Sequence, residues 1–189
     1  MTLTDLDIAI NKISPLSEET REEFLRAWSG WSVPRDHFMV KENAVCDHIF
    51  FVKKGILRIF YFKNGKEITE WIAMDGTFCL SILSFFERTP SRLQIQTLEA
   101  SEIMGIHYDD LTGMAARFHE VETLFRKMMT LSLILSQYRM DSIQFETAQQ
   151  RYDRLLETQP ELLHRVPLTY IASFLGITPE TLSRIRAHR

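Results

Sequence analysis

The sequence predicts an α+β protein in which an N-terminal antiparallel β-barrel or jelly roll is followed by a long helix and a C-terminal pair of short helices. Three observations predict this architecture. Short strand-like runs separated by turn signals extend to about residue 108, an apolar repeat of helical period follows them, and the last segment contains two helix-like stretches around a glycine. The expected domains are a sensor-like barrel over residues 1–113, a long helix over 114–143 and a helical domain over 144–189.

Composition places the chain among globular proteins. Its 189 residues are 45% hydrophobic and 25% charged, which suits one large domain or a medium and a small one. No stretch approaches the roughly 20 apolar residues of a membrane span, and the start MTLTDLDIAINK lacks the features of a signal peptide. A cytoplasmic protein without a membrane partner is therefore expected. Cys46 and Cys79 form no CxxC pair and are expected to be free, buried thiols.

Charge is distributed unevenly along the chain. The formal net charge is -3, but residues 1–110 carry 12 basic against 17 acidic residues. The last 26 residues carry four arginines against the single acidic residue Glu180, which gives +3. Positive charge is therefore concentrated at the C-terminus, where DNA phosphates are able to use it.

Residues 33–108 have the composition of strands. Their runs are HFMV, HIFFV, ILRIFYF, EITEWI, LQIQTL and EIMGIHY, and Asn64-Gly65 between two of them is a strong signal for a β-hairpin. Many short strands with no helix between them predict an antiparallel barrel or jelly roll. Before them, Ser17 is expected to cap a helix whose apolar stripe contains Phe24, Leu25 and Trp28.

After Asp109 the apolar residues follow a heptad pattern. The seam is expected to form an interface between two copies of the chain, and its residues are Val121, Leu124, Met128, Leu131, Leu135 and Tyr138. The alternative is a helix that packs on its own barrel. A shorter helix, ETAQQRYDRLLE, follows; its buried side is Tyr152, Leu155 and Leu156, and Pro160 closes it.

The final segment, VPLTYIASFLGITPETLSRIRAHR, predicts two short helices around a tight turn. The first has an apolar face made by Leu168, Ile171, Ala172 and Leu175. Gly176 suits the left-handed conformation at the end of that helix, and Thr178 is expected to cap the second helix with Pro179 at its first position. Leu182 and Ile185 are expected to point inward.

The outward side of this second helix is polar and basic, as a helix that enters the major groove of DNA requires. The expected DNA contacts are Thr178, Glu180, Thr181, Ser183, Arg184, Arg186, His188 and Arg189. Arg184 suits a two-hydrogen-bond contact to guanine, whereas Arg186 and Arg189 suit phosphates. The alternative is a helical hairpin that only packs against the rest of the chain, which would not need cap, glycine and outward arginines together.

With these parts assembled, the chain resembles the Crp/Fnr family of bacterial transcription regulators, and its ending is similar to a subgroup common in Bacteroidetes. In IASFLGITPETLSRIR, Glu180, Thr181 and Arg184 fall on the family's Glu-Thr-x-x-Arg pattern, whose Glu and Arg face base edges. The resemblance implies a cyclic-nucleotide-binding-like jelly roll, dimerisation through the long helix, a helix-turn-helix and no enzymatic activity. It also implies double-stranded DNA and a second copy of the chain as partners, with RNA polymerase as a further partner.

Relatives usually continue after the recognition helix with a β-hairpin wing that touches the DNA backbone, whereas this sequence ends at Arg189. DNA binding is therefore expected to depend more on dimerisation and on the basic C-terminal residues.

The expected effector region departs from family members that bind cyclic nucleotides. Their cassette has Gly-Glu-Leu or Gly-Glu-Ala and, about ten residues later, Arg-Ser or Arg-Thr, so that a carboxylate holds the ribose and an arginine the phosphate. Here Leu80-Ser81 and Ser91-Arg92 stand in those places, and a one-residue shift turns Arg92 to the other face of its strand unless the preceding loop has an extra residue. Cyclic AMP or cyclic GMP is therefore not expected. A small apolar ligand, or none, is expected in a pocket formed by Gly76, Phe78, Leu80, Ser81, Ile82, Ser91 and Arg92.

Other chemistries find less support in the sequence. An iron–sulfur cluster needs four cysteines, and the candidate haem ligands His37, His48, His107 and Cys79 are more readily interpreted as structural or surface residues. No HxH pair supports a cupin-type metalloenzyme, and neither a metal site nor a catalytic constellation is expected. A stand-alone ligand sensor that contacts protein partners remains an alternative, and the salt dependence of DNA binding distinguishes it.

Overall fold

The computed structural model describes residues 4–187, which divide into two compact units. Unit 1 comprises the described residues up to Ile59 together with Ile72–Ser132, and unit 2 comprises Phe60–Trp71 together with the residues from Leu133 onward. The end of one β-hairpin thus groups with the C-terminal helices. The domain boundaries expected from the sequence, at residues 113 and 143, stay a prediction.

The predicted α+β class is confirmed. The strands are β1 (Trp28–Val33), β2 (Phe38–Val40), β3 (His48–Lys54), β4 (Ile56–Lys63), β5 (Lys66–Met74), β6 (Phe78–Cys79), β7 (Gln94–Thr97) and β8 (Ser101–His107). The helices are α1 (Thr4–Ile13), α2 (Glu18–Arg26), α3 (Ile82–Glu87), α4 (Tyr108–Arg117), α5 (His119–Phe145), α6 (Ala148–Thr158), α7 (Leu162–Arg165), α8 (Leu168–Phe174) and α9 (Pro179–Ala187).

The strands form two four-stranded sheets, with the orders β1-β8-β3-β6 and β2-β7-β4-β5. Every predicted strand run is present, and the predicted hairpin at Asn64-Gly65 joins β4 to β5. The prediction that no helix lies between the strands is wrong, because α3 separates β6 from β7. Arg88, in the left-handed conformation with φ of 55°, ends this short helix.

Strand β1 is the second correction. Trp28 was expected on the stripe of a helix, but α2 ends at Arg26 and Trp28 begins β1, which pairs antiparallel with β8. Gly105 of β8 makes room for Trp31, since a Cβ atom at position 105 would lie 2.8 Å from the indole ring. Ser17 precedes α2 as predicted, yet its hydroxyl makes no cap hydrogen bond and instead donates to Glu120 Oε2 at 2.9 Å.

The core of unit 1 lies between helices and one face of the first sheet. Phe51 on β3 and Met104 on β8 share this face with Ile49 and Ile106. Apolar residues from five helices cover it: Leu6, Ile10, Phe24, Leu25, Phe85, Leu111, Met114, Val121, Leu124 and Met128. The helix α1, which the sequence analysis did not predict, supplies the first two of these residues.

Helix α5 confirms a long helix, which was expected over residues 114–143 and spans His119–Phe145. Residues 114–117 belong to the separate helix α4. Its heptad seam is divided between two environments. Val121, Leu124 and Met128 are buried in the core of unit 1, as expected for a helix that packs on its own barrel. The remaining seam residues, Leu131, Leu135 and Tyr138, are 46% to 64% exposed. Of the six seam residues, these last three are the exposed ones.

Unit 2 contains the predicted helix α6, which begins with a complete capping box. Thr147 Oγ1 accepts a hydrogen bond from the amide of Gln150, and the Gln150 side chain accepts one from the amide of Thr147. Tyr152 and Leu155 are buried, Leu156 is half-buried, and the helix ends at Thr158 before Pro160. No helix in residues 4–187 is both long and apolar enough to cross a membrane.

Candidate nucleic-acid interface and effector region

A tight turn joins α8 to α9 in unit 2. The amide of Ile177 donates to the carbonyl of Ala172 at 2.9 Å, and the amide of Gly176 donates to that of Ser173 at 3.1 Å. These two bonds form a Schellman motif, which requires a residue with positive φ after the helix, and Gly176 has φ of 68°. The structure thus confirms the turn predicted from the sequence. Both hydrogen bonds of the turn lie within six consecutive residues, which is why the turn was predictable.

The start of α9 is capped as predicted. Thr178 Oγ1 accepts a hydrogen bond from the amide of Thr181 at 3.2 Å. Hydrogen bonds from Thr178 and from the backbone lower the pKa of the Glu180 carboxyl, and the positive charges of Lys66 and Arg184 act in the same direction. Glu180 is therefore an ionised hydrogen-bond acceptor at neutral pH.

Two faces of α8 and α9 differ sharply in exposure. Four of the predicted inward residues are buried: Ile171, Ala172, Leu175 and Leu182. Leu168 is 39% exposed and Ile185 is half-buried. Among the predicted DNA contacts, Thr181 is half-buried, and the exposed ones are Thr178, Glu180, Ser183, Arg184 and Arg186. The guanidinium of Arg184 donates to Thr181 Oγ1 at 3.3 Å, which places it along the first turns of α9. His188 and Arg189 lie outside the described residues.

Replacing Gly176 by alanine tests the turn. A side chain there is expected to cost about 1 kcal/mol because L-residues are strained at positive φ. The added Cβ would also lie 3.1 Å from Ile143 Cδ1. Thermal unfolding should show a midpoint lowered by about 2–4 °C. Gly113→Ala is the matched control, since position 113 is in α4 with open space around it, and this variant should be unchanged or more stable. Equal midpoints for the two variants would contradict this account of the turn.

The end of the β4–β5 hairpin packs on α8 within unit 2. The amide of Thr69 donates to Ser173 Oγ at 2.8 Å, and Ser173 Oγ donates to the carbonyl of Glu67 at 3.4 Å. Trp71 meets Phe174 edge to face, with ring centroids 6.2 Å apart. The sequence analysis missed these residues, because Thr69 and Ser173 are 104 positions apart and neither belongs to a recognisable motif.

Arg139 of α5 completes this packing. Its guanidinium carbon lies 4.4 Å from the centre of the Phe174 ring, and Nη2 donates to the carbonyl of Thr69 at 3.5 Å. Burial lowers the pKa of Arg139, and the nearby Glu70 carboxylate acts in the opposite direction. The hairpin, α5 and α8 are thus tied together by polar and aromatic contacts.

The expected effector residues are distributed over several environments of unit 1. Ser81 and Ser91, which stand in the places of the cassette's Glu and Arg, are buried and lie 2.8 Å apart through their hydroxyl oxygens. Ser91 Oγ also accepts from the amide of Leu93 at 3.0 Å. Arg92 is exposed. The two cassette positions therefore satisfy each other and offer neither a carboxylate nor a guanidinium.

The other expected pocket residues are not gathered around this pair. Phe78 packs against Trp28 and Phe51, and Leu80 packs against the same core cluster. Ile82 is 41% exposed, and Gly76 is an exposed turn residue with φ of 76°.

The sequence analysis did not identify Arg58 as a buried charged residue of the barrel. Arg58 of β4 is fully buried and makes interactions within the chain. A basic residue inside the apolar run ILRIFYF was the signal in the sequence, because an arginine in a central strand must be paired there.

The structure brings only some of the candidate haem ligands together. His48 and His107 lie on paired strands with ring centroids 5.1 Å apart, and burial and the neighbouring His107 lower the pKa of His48. His37 is exposed, and burial raises the pKa of the Cys79 thiol. Within residues 4–187 no group of three or more His, Cys, Asp or Glu residues is arranged to hold a metal ion.

Many solved structures are similar to this chain, and three of them are described here. FixK2 from Bradyrhizobium japonicum aligns with a TM-score of 0.72 and 18% identity over 85% of this chain and 83% of its own. The c-di-GMP-responsive global regulator CLP of Xanthomonas campestris aligns with 0.69 and 18% over 90% of each chain. A protein from Eubacterium rectale, described as a transcriptional regulator of the Crp/Fnr family, aligns with 0.68 and 19% over 92% of this chain and 83% of its own.

A sequence comparison locates the match more narrowly. Residues 31–118 match the family described as "Cyclic nucleotide-binding domain". No curated protein matches the sequence significantly. The matched region begins within β1 and ends immediately after α4. Residues 31–118 are therefore similar to cyclic nucleotide-binding domains, and the chain shares its fold with structures of Crp/Fnr regulators at low sequence identity.

Proposed function

We propose that this protein is a dimeric DNA-binding transcription regulator of the Crp/Fnr type. One observation supports the proposal above all others. The helices α8 and α9 join through a Schellman turn, bury their apolar residues, and leave Glu180, Ser183 and Arg184 exposed on one short helix. This is the arrangement in which a recognition helix presents side chains to the major groove.

The side chains of α9 suit different parts of DNA. The guanidinium of Arg184 matches the two acceptors on the major-groove edge of guanine, and the ionised Glu180 matches the amino group of cytosine. Thr178 and Arg186, which are exposed at the two ends of the described helix, suit phosphate oxygens. Base contacts by the first two residues would supply specificity, and phosphate contacts by the others would fix the position of the helix.

The exposed half of α5 supports the dimer in this proposal. Leu131, Leu135 and Tyr138 continue the heptad seam beyond the core of unit 1, and Ile134 and Phe145 on the same side are also exposed. An apolar helical face of this length is favourable in water only when another apolar surface covers it. A second copy of α5 presents the same residues, so a symmetric pairing would bury both faces.

The barrel lacks the contacts that usually bind a cyclic nucleotide, which supports a regulator that responds to a different signal. The buried Ser81–Ser91 pair occupies the cassette positions, and Arg92 is exposed. Without a carboxylate for the ribose or an arginine for the phosphate, the barrel would bind a small apolar effector, or act without one.

A DNA-binding measurement on the full chain tests the proposal. Duplexes enriched by the protein from a random library would be titrated by fluorescence anisotropy at several salt concentrations. We expect an enriched sequence and an affinity that falls by about three orders of magnitude between 50 and 200 mM salt, as for a protein with several phosphate contacts. Failure to enrich any duplex, or binding that is insensitive to salt, would contradict the proposal and favour a sensor that acts on protein partners.

A further inference from the structure

We propose that the tip of the β4–β5 hairpin, through Lys63 and Lys66, forms a second DNA-binding element that contacts backbone phosphates beside the recognition helix. This inference rests on the proposed function and adds to it a surface outside the helix-turn-helix. The ligand chemistry is a phosphodiester. Sequence preference is not expected from this element, because a lysine ammonium is a point charge without the planar geometry that reads a base edge.

The turn places the two lysines side by side. Asn64 and Gly65, which separate them, have φ of 51° and 73°, as in the two-residue type I′ turn of a hairpin. Residues that flank such a turn lie directly opposite each other, with both side chains on the same face of the hairpin. Lys63 and Lys66 are both exposed, so two ammonium groups project together at its end.

This pairing is unfavourable for the hairpin alone. Like charges directly opposite each other on antiparallel strands repel. An anion that approaches both ammonium groups removes the repulsion and gains two charge-assisted hydrogen bonds. The positive charge of the tip is therefore complementary to the negative charge of a phosphate group.

The rest of the hairpin is held against the helix-turn-helix. Thr69 is fully buried, and its amide is bound by Ser173 Oγ at 2.8 Å. The contact between Trp71 and Phe174 and the hydrogen bond from Arg139 to the carbonyl of Thr69 add to this attachment. The tip is thereby fixed with respect to α8 instead of moving as an independent loop, which reduces the entropy lost when it binds.

The attachment places the tip near the turn that leads from α8 into α9. The carbonyl of Glu67, the neighbour of Lys66, accepts a hydrogen bond at 3.4 Å from Ser173 Oγ, three residues before Gly176. The positive charge of Lys66 also helps to lower the pKa of the Glu180 carboxyl, after the larger effects of hydrogen bonding. Glu180 is in the first turn of α9, where unpaired amide groups and the helix dipole also favour anions. If α9 enters the major groove, the strand that borders the groove passes this end of the helix, within reach of the lysines.

The double variant Lys63→Gln/Lys66→Gln tests the inference. Full-length protein would be titrated with an enriched duplex and with a shuffled duplex of the same composition, each about 30 base pairs long to span two half-sites. We expect weaker binding to both duplexes by the same factor. The slope of log affinity against log salt should fall by about 0.9 for each lost phosphate contact, which is about a 3.5-fold smaller loss of affinity per contact between 50 and 200 mM salt.

Two controls accompany the double variant. Lys66→Arg keeps the charge and should retain the wild-type slope. Lys41→Gln removes one exposed positive charge from unit 1 and should also retain it. Circular dichroism and thermal unfolding of each variant establish that the hairpin still folds.

The outcomes separate this inference from the proposed function. If wild-type protein binds DNA with a steep salt dependence and the double variant has the same slope, the hairpin inference is overturned and the proposed function is not. Tighter binding by the double variant also overturns it, since the tip would then mask the DNA surface. A change in sequence preference without a change in slope would assign Lys66 a role through Glu180 instead. Absence of salt-dependent DNA binding by the wild type would overturn both.

Discussion

The variant Arg184→Ala is expected to lose most of its preference for one DNA sequence over another. Arg184 is exposed in the last turn of α9, and its guanidinium donates back to Thr181 Oγ1. A two-hydrogen-bond contact between an arginine and guanine contributes about 1–3 kcal/mol of discrimination against other bases. The ratio of affinities for an enriched and a shuffled duplex should therefore fall by about 5- to 140-fold for each half-site.

Arg186→Ala is the matched comparison for this prediction. Arg186 is exposed two residues further along the same helix, and a phosphate contact carries no sequence information. This variant should bind both duplexes more weakly by similar factors, and its salt slope should be smaller. Competition anisotropy with the two duplexes measures both effects. An equal loss on both duplexes for Arg184→Ala would mean that this residue does not read a base.

The double variant Leu131→Asp/Leu135→Asp is expected to convert the protein to monomers. Both leucines lie on the exposed half of the α5 seam. Full burial of an exposed leucine contributes about 1.5–3 kcal/mol. About half of each of these side chains is still exposed, so the four leucines of a symmetric pair contribute about 3–6 kcal/mol. The dimer dissociation constant should rise by about 10²- to 10⁴-fold, and DNA binding should weaken because the two recognition helices would no longer be linked. Sedimentation velocity over a range of concentrations measures the first effect.

Leu133→Asp provides the control on the same helix. Leu133 is 70% exposed and lies two residues from each of the other leucines, hence about 200° around the helix axis. The same apolar-to-acidic change there should leave the oligomeric state unchanged. Dissociation caused by Leu133→Asp to the same extent, or a double variant that stays dimeric, would show that the seam is not the interface.

Much of the segment from α8 to α9 was predictable because its interactions are local. Thr178 caps α9 by accepting a hydrogen bond from the amide of Thr181, only three residues later. The Schellman turn around Gly176 involves six consecutive residues. The same reason explains the correct hairpin at Asn64-Gly65. The strand β1 was missed because Trp28 follows a helical pattern without a turn signal, and only pairing with β8 makes it a strand.

The division of the α5 seam shows what a heptad pattern does not predict. Val121 and Leu135 are 14 residues apart and therefore occupy the same position in two different heptads. Val121 is buried in unit 1, whereas Leu135 is 49% exposed. Periodicity indicates which face of a helix is apolar, but it does not identify the surface that covers this face. Similarly, the sequence predicts that the cassette residues are lost, whereas the contact between the hydroxyls of Ser81 and Ser91 depends on how two distant segments meet.

The amino-acid sequence by itself determined the α+β class, the long helix, the pair of C-terminal helices around a tight turn and the departure from a cyclic nucleotide cassette, because caps, glycine turns and apolar periods act within a few residues. Only the tertiary structure decided that Arg92 is exposed, that half of the α5 seam is used inside the chain, and that the β4–β5 hairpin packs on α8. These features depend on contacts such as that between Thr69 and Ser173, whose partners are far apart in the chain and are selected by packing rather than by local preference.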